Sequence, residues 1–203
     1  MQFLNKARYN NNIAQDVIVA LSSLQNIPHQ EGVVFWDAAQ QCMAVYLDTP
    51  YVTLNPGREL LVRCHNSTGS TISNGKVVSV ISALNEYPTI ILADADNYQT
   101  NKVLGVATMD IPSGTWGEVT IIGNVHEINL SAFSLGDTLY LSAIPGELTN
   151  MRPQFPAKAV IIGQVTKNDA TGTLFVSIHN DTYNYSYDGA IMETHTLTII
   201  QSG

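Results

Sequence analysis

The stretch that decides the fold is Leu104–Asn180, which reads LGVATMDIPSGTWGEVTIIGNVHEINLSAFSLGDTLYLSAIPGELTNMRPQFPAKAVIIGQVTKNDATGTLFVSIHN. Short runs of β-branched and aliphatic residues alternate there with Gly, Pro, Asn, Asp and Ser. Runs of this length, separated by turn-forming residues, are typical of short antiparallel strands. The stretch therefore predicts a compact, mainly β module.

The same stretch contains an internal repeat. Gly105–Thr108, with the pair Gly114-Thr115 after it, recurs 58 residues later as Gly163–Thr166, with Gly172-Thr173 after it. In each copy a strand ends, a polar segment turns the chain, and a Gly begins the returning strand. Two copies are too few for a solenoid. We therefore expect two related hairpins on opposite sides of one antiparallel β-barrel or sandwich.

Composition limits the classes of function. Charged residues make up only 13% of the 203 residues, about half the usual share. The net charge is -8, and the nine Lys and Arg residues are scattered singly. Nucleic acid is therefore an unfavourable partner, because binding it requires a clustered basic surface. A surface so poor in charge is covered by Asn, Ser, Thr and Gln or by other protein chains, and we favour a subunit of a permanent assembly.

The cysteines and the apolar runs indicate the compartment. Cys42 and Cys64 lie in apolar, strand-like runs at a spacing that matches neither a zinc nor a redox motif. We expect two reduced, buried thiols, with a disulfide as the alternative. The N-terminus shows no signal peptide, and no run is long enough to span a membrane. The sequence predicts synthesis in a cytoplasm and no membrane insertion.

Residues 1–30 differ from the rest of the chain. A helix is predicted over about Ile13–Gln25, because three Asn residues precede it and Pro28 follows it. Its apolar stripe, the candidate assembly surface, consists of Ile13, Val17, Leu21 and Leu24. The partner of this stripe is either the chain's own sheet or a bundle of three chains. The first dozen residues are expected to form a flexible arm that orders on a neighbouring molecule.

Residues 31–56 predict a β-hairpin segment. Val33–Trp36 is expected as one strand, Asp37–Gln41 as the turn and Cys42–Leu47 as the returning strand. Trp36 and Tyr46 are expected to lie close together across the pair.

Two further regions complete the predicted organisation. The β module is assigned to residues 57–181 and a C-terminal extended segment to residues 182–203. Tyr183, Tyr185 and Tyr187 alternate in that segment and so share one face of a strand, which is either a sheet edge or a subunit contact. We favour the subunit contact. Further strands are expected over Tyr51–Leu54, Glu59–His65, Lys76–Ile81, Thr89–Ala93 and Glu193–Ile200.

The titratable residues do not form a recognisable active site. The chain has no nucleophile elbow, zinc-protease helix, phosphate loop or dinucleotide fingerprint. Asp94 and Asp96 could contribute oxygen ligands to a hard cation, but Asx turns are the favoured interpretation. We therefore predict no enzyme activity and no catalytic, cofactor-binding or metal-ligating residue, although folding could bring a carboxylate pair together.

Aromatic residues are the candidate ligand-binding groups. Trp116 follows a Ser-Gly-Thr turn, and together with Tyr183, Tyr185 and Tyr187 it could stack on the faces of sugar rings. The alternative for Trp116 is that its ring fills the end of a barrel.

The module contains a series of turn motifs, at Gly105–Ala107, Gly114–Gly117, Gly123–Val125, Leu135–Ser142, Pro145–Thr149, Pro153, Pro156 and Ile162–Val165. These motifs resemble those of a module found in virion proteins of tailed bacteriophages. The resemblance covers about Gly57–Asn180, including the approach Asn74–Val78. It implies a small β-barrel or sandwich, commonly trimeric, in head fibres, capsid decorations or tail fibres, and it carries no catalytic residues.

These observations lead to one favoured hypothesis and two others. The favoured one is a trimeric head-fibre or decoration-type subunit of the virion, synthesised in the host cytoplasm. Its partners would be its own copies and proteins of the capsid, collar or tail, reached through the N-terminal arm. The alternative is a tail-fibre or receptor-binding adhesin that recognises a host surface glycan through Trp116 and the three tyrosines. A virion-borne hydrolase, which requires clustered carboxylates, has the least support.

Overall fold

A computed structural model describes residues 28–49 and 52–180 of the chain. These residues form twelve β-strands and no helix. The predicted helix Ile13–Gln25, the three alternating tyrosines and the predicted strand Glu193–Ile200 lie outside the described residues. They stay predictions, as do the assembly residues Ile13, Val17, Leu21 and Leu24.

The first three strands form a small sheet. β1 (Val34–Asp37), β2 (Cys42–Tyr46) and β3 (Thr53–Leu54) are antiparallel and lie in the order β1-β2-β3. The predicted hairpin is confirmed.

The expected contact between Trp36 and Tyr46 is wrong. Trp36 lies opposite Met43, and both side chains point to the exposed face of the sheet. Tyr46 lies on the same face of β2 as the buried Ala44, and its ring packs against Phe35 at 4.6 Å between centroids. The two aromatic side chains are on opposite faces because successive residues of a strand alternate.

The remaining nine strands form one large sheet in the order β10-β9-β11-β12-β8-β4-β6-β5-β7. All of its pairings are antiparallel except that of β4 with β6. β7 also pairs with β8, so the pairings of β8, β4, β6, β5 and β7 return to their starting strand. The strands are β4 (Leu60–Asn66), β5 (Val77–Leu84), β6 (Tyr87–Leu92), β7 (Val103–Ala107), β8 (Trp116–Ile128), β9 (Thr138–Leu141), β10 (Leu148–Thr149), β11 (Ile161–Lys167) and β12 (Gly172–His179).

The mainly β prediction is confirmed, but neither sheet is a clear barrel. β4 and β6 share only two register pairs, as do β7 and β8. The closed series of strand pairings therefore contains two short pairings.

The internal repeat corresponds to the hairpins β7–β8 and β11–β12. The expectation that they lie on opposite sides of the fold is wrong, because β12 pairs directly with β8. The first Gly of each copy is needed for the same physical reason. A Cβ on Gly105 would lie 2.5 Å from the Thr120 carbonyl oxygen, and one on Gly163 would lie 2.1 Å from that of Phe175. The repeated Gly therefore permits a close approach of the returning strand.

Two groups of buried side chains form the core. The larger group lies against β8, β9, β11 and β12 and includes Leu139, Leu141, Ile162, Leu174 and Val176. The smaller group lies between β4, β5, β6 and β8 and includes Cys64, Ile72, Val78, Ile90 and Ile111. Cys42 and Cys64 are both free and buried, as the sequence predicted. Burial raises the pKa of the Cys64 thiol to about 12, so this thiol is chemically inert.

Residues 80–88, the end of the β5–β6 hairpin, extend away from this core; we call them the apolar hairpin. Ser79 at its base is buried and donates a hydrogen bond to the Thr100 carbonyl. Every residue from Val80 to Tyr87 is exposed. Val80, Ile81, Leu84 and Tyr87 have exposed fractions of 45%, 56%, 41% and 46%. Apolar side chains on both faces of the hairpin therefore face solvent in the single chain.

Candidate binding site around Trp116

The turn before Trp116 is fixed by the buried side chain of Asn66. The Asn66 amide nitrogen Nδ2 donates to the carbonyls of Ser70 and Ile111 at 2.8 and 2.7 Å. The backbone of Asn66 exchanges two further hydrogen bonds with the turn, to Gly114 at 2.7 Å and Thr115 at 3.0 Å. Gly114 has a φ of +77°, a left-handed conformation that suits glycine. β8 therefore begins at Trp116 from a well-anchored turn.

The indole ring of Trp116 contacts three side chains from two neighbouring strands. His65, its register partner on β4, packs edge-on at 5.1 Å between ring centroids. Tyr87 of the apolar hairpin packs edge-on at 5.3 Å. The guanidinium carbon of Arg63 lies 5.5 Å from the centroid of the indole ring, at a cation–π distance. Trp116, Tyr87, His65 and Arg63 form what we call the aromatic platform.

Charged groups lie beside the platform. Arg63 forms an ion pair with Asp48, the residue that follows the small sheet's second strand by two positions, and both side chains are about one-third exposed. Glu118 lies opposite Arg63 in the β4–β8 register and is buried. Burial raises the pKa of Glu118, the negative charge of Asp48 raises it further, and Arg63 opposes both effects. Two carboxyl groups and one guanidinium are thus electrostatically coupled at this position.

The structure places Trp116 at the surface of the large sheet. Trp116 is half-buried, and its ring contacts are with other members of the platform. It does not belong to either group of core side chains. A flat, partly exposed indole with a cation at its face can stack on the C–H face of a sugar ring. Tyr183, Tyr185 and Tyr187, the other candidates for stacking, lie outside the described residues.

The remaining sequence candidates have ordinary structural roles. The Asp94 carboxylate accepts a hydrogen bond from the Asp96 amide at 2.9 Å, which is the expected Asx turn. Within residues 28–49 and 52–180, no group of three or more His, Cys, Asp and Glu residues could hold a metal ion. In the same residues, no helix is long and apolar enough to cross a membrane.

Sequence reasoning missed three members of this neighbourhood: Arg63, Tyr87 and Glu118. Arg63 and Glu118 come together only through the β4–β8 register, which joins residues more than fifty positions apart. Tyr87 follows a two-residue turn, Asn85-Glu86, with positive φ at both residues. Asn at the first position of such a turn was the available signal for a hairpin that carries Tyr87.

Comparisons with known proteins found no family and no curated relative, and a weak structural similarity. No protein-family model matches the chain, and no curated protein matches it. Among solved structures, the chain is similar to the head fiber gp8.5 N base in bacteriophage phi29. The two share 16% sequence identity with a TM-score of 0.39, over 59% of this chain and 94% of that chain. A similarity of this size does not establish the fold or the function of the chain.

Proposed function

We propose that this chain is a non-enzymatic structural subunit of a bacteriophage virion, a homotrimer of the head-fibre or decoration type. Its N-terminal arm, residues 1–30, docks it to the particle. The observation that carries the proposal is the apolar hairpin, which indicates that another protein covers part of this surface. The turn motifs described above support the virion setting.

The apolar hairpin exposes large apolar side chains to water. Its four large apolar side chains are each 41% to 56% exposed and lie on two paired strands, with Leu84 opposite Tyr87. A two-stranded hairpin has little stability alone, and contiguous exposed apolar surface marks interaction sites. The only ionisable side chain beyond Val80 and before Tyr87 is Glu86, at the tip of the turn. A surface of this composition is typical of a permanent subunit contact.

The proposal is tested by native mass and by binding to particles. Light scattering should give three chains of 22.1 kDa for the full protein, and the same for a variant lacking residues 1–30 if the β-strands hold the trimer. Only the full protein should then co-sediment with phage particles, since the arm is the docking segment. A trimer that dissociates without residues 1–30 would assign assembly to the predicted helix. A single chain in both preparations would contradict the proposal.

A second candidate function is favoured by the aromatic platform. In this proposal the chain is a receptor-binding adhesin that stacks a host surface glycan on Trp116, next to Tyr87 and Arg63. A glycan array tests it with two matched variants. Trp116→Ala should abolish binding, whereas Trp36→Ala should retain it, because Trp36 is an exposed indole on the small sheet away from the platform. Equal binding by both variants would contradict the adhesin.

A further inference from the structure

A polar cleft lies where the small sheet meets the large one, apart from the aromatic platform. Its volume is about 480 Å³, within the range of about 300 to 1,000 Å³ found for small-molecule sites. Asp37 and Gln40 line it from the β1–β2 hairpin and Glu59 from the segment before β4. Asn74 lines it from the turn before β5, Thr108 from the position after β7, and Asn124 from β8. Residues from five separate chain segments therefore converge on one concave surface.

The walls of the cleft are held by hydrogen bonds that do not need a ligand. The Asp37 carboxylate accepts hydrogen bonds from the amides of Ala39 and Gln40 at 2.8 and 3.0 Å. The Arg58 guanidinium donates to the carbonyls of Gln40 and Gln41 and so ties this turn to the large sheet. The cleft is therefore formed before any ligand binds, which lowers the entropic cost of binding.

Asn74 braces the opposite wall and has an unused acceptor. Its Nδ2 donates to the His126 carbonyl at 2.8 Å, and its backbone amide donates to Asp110 at 2.8 Å. Its Oδ1 atom is buried and has no hydrogen-bond partner among the described residues. Asn74 therefore contributes to the shape of the cleft, and its side chain is fixed by these hydrogen bonds.

Other polar groups of the cleft are free to bind. The Thr108 hydroxyl and the Asn124 amide make no side-chain hydrogen bond within the described residues, and both line the cleft. Burial raises the pKa of Glu59 to about 7, with a weaker opposing effect of the Asn55 backbone hydrogen bond, so near neutral pH this carboxyl can donate as well as accept. Burial likewise lowers the pKa of His126, which favours its neutral ring.

The chemistry of this lining selects the ligand class. Among the described residues that line the cleft there is no Lys or Arg, whereas three carboxyl groups line it, so the cleft disfavours an anion. No metal-binding cluster occurs among the same residues. The amide and hydroxyl groups and the Glu59 carboxyl, with the apolar side chains of Val52 and Leu61 beside them, suit a ligand with several hydroxyl groups and some C–H surface.

We propose that the cleft between the two sheets binds a neutral saccharide of one or two rings through hydrogen bonds with Thr108, Asn124 and Glu59. This site is separate from the aromatic platform, and it does not depend on the chain being a trimer or an adhesin. No aromatic ring other than that of His126 lines the described part of the cleft, so recognition there relies on hydrogen bonds rather than stacking.

The test is an NMR titration of the full-length protein with methyl glucoside, methyl galactoside, N-acetylglucosamine and cellobiose. At least one of these probes should shift the amide resonances of Asn74, Asn124 and Glu127 in a saturable manner. Thr108→Val, which keeps the side-chain shape, and Asn124→Ala should each weaken binding by about three- to tenfold, the effect of one lost uncharged hydrogen bond. Leu135→Ala, which changes an exposed side chain outside both the cleft and the aromatic platform, should leave the affinity unchanged.

Three outcomes would overturn the proposal. In the first, none of the four sugars shifts the cleft resonances. In the second, sugars shift only resonances of the aromatic platform, and the shifts disappear in Trp116→Ala. In the third, glucuronate or spermidine binds the cleft more tightly than any neutral sugar, which would show that charge and not hydroxyl recognition governs the site.

Discussion

The β11–β12 hairpin and the apolar hairpin are built from the same kinds of side chain but differ in what those side chains contact. In β12, Leu174 and Val176 are fully buried in the larger core group, and Phe175 between them faces outward. In β5, burial ends at Ser79, and the following residues are exposed on both faces. The β11–β12 hairpin is flanked by strands of its own chain. The apolar hairpin extends beyond the neighbouring strand, and only Tyr87 packs on an aromatic ring of another strand.

This difference teaches that apolar alternation identifies a strand but not what covers it. β11–β12 lies between β9 and β8 in the sheet, so its inward side chains always have a partner. The apolar hairpin extends past the part of β4 that pairs with β6, which begins at the register pair of His65 with Thr89. Tyr87 packs on Trp116 within the chain, and our proposal assigns the contacts of the other exposed apolar side chains to a second copy of the chain.

The largest expected effect separates the two hairpins directly. Leu174→Ala removes a fully buried side chain from the core and should lower the free energy of unfolding by about 3 kcal/mol. Leu84→Ala, the same substitution in the apolar hairpin, should change it by less than about 0.5 kcal/mol at concentrations where the chain is dissociated. Urea denaturation of both variants measures the difference. Equal losses would show that the apolar hairpin is packed within its own chain.

The second prediction concerns the close contact of strands in β11–β12. Gly163→Ala should cost about 2 kcal/mol, because the added Cβ would meet the Phe175 carbonyl oxygen and force the strands apart. Gly69→Ala is the control. Its Cβ would enter open space, and only the left-handed backbone at φ +83° opposes it, at about 1 kcal/mol. A Gly163→Ala protein as stable as the wild type would contradict the assigned register.

Much of this fold could be predicted from the sequence, because short runs of apolar residues between turn residues mark strands wherever they pack. The sequence ended one strand at Ile81 and began the next at Thr89, whereas the structure continues them to Leu84 and from Tyr87. The extension was missed because exposed apolar residues on both faces do not produce a simple alternation.

The site was predictable only where a local signal existed. Trp116 follows a Gly turn and was found, but Arg63 and Tyr87 reach it through strand pairings that a single sequence does not encode locally. The Trp36–Tyr46 error has the same origin, since the register of a hairpin decides which face a residue occupies.

The third prediction concerns the pH dependence of stability. Neither hairpin should contribute to it, because neither buries a carboxyl group. The pKa of Glu59 is raised to about 7 in the folded chain from a usual value near 4.5. The folded state therefore binds more protons between these two values, and stability falls as pH rises from about 4.5 to 7. Because Glu59 is partly solvated, we expect a loss of only about 1 kcal/mol.

Thermal or urea unfolding from pH 4 to 8 measures this loss. Glu59→Gln should reduce the pH dependence, whereas the matched change Glu86→Gln at the exposed tip of the apolar hairpin should leave it unaltered. A pH profile that Glu59→Gln does not change would show that Glu59 is solvated.

The last prediction concerns a double substitution that should hardly change stability but should prevent assembly. Ile81→Ser combined with Leu84→Ser should leave the unfolding free energy of the isolated chain within about 0.5 kcal/mol of the wild type, because both side chains are already exposed. Val34→Ser combined with Met43→Ser is the matched control, since these apolar side chains of the small sheet are 44% and 39% exposed.

The measurement that tests the central claim most directly is the native mass of these two double variants and the wild type by light scattering. We predict three chains for the wild type and for Val34→Ser/Met43→Ser, and a single chain of 22.1 kDa for Ile81→Ser/Leu84→Ser. A wild type that is already a single chain, or a hairpin variant that keeps the full assembly mass, would contradict the assignment of the apolar hairpin as the contact between copies.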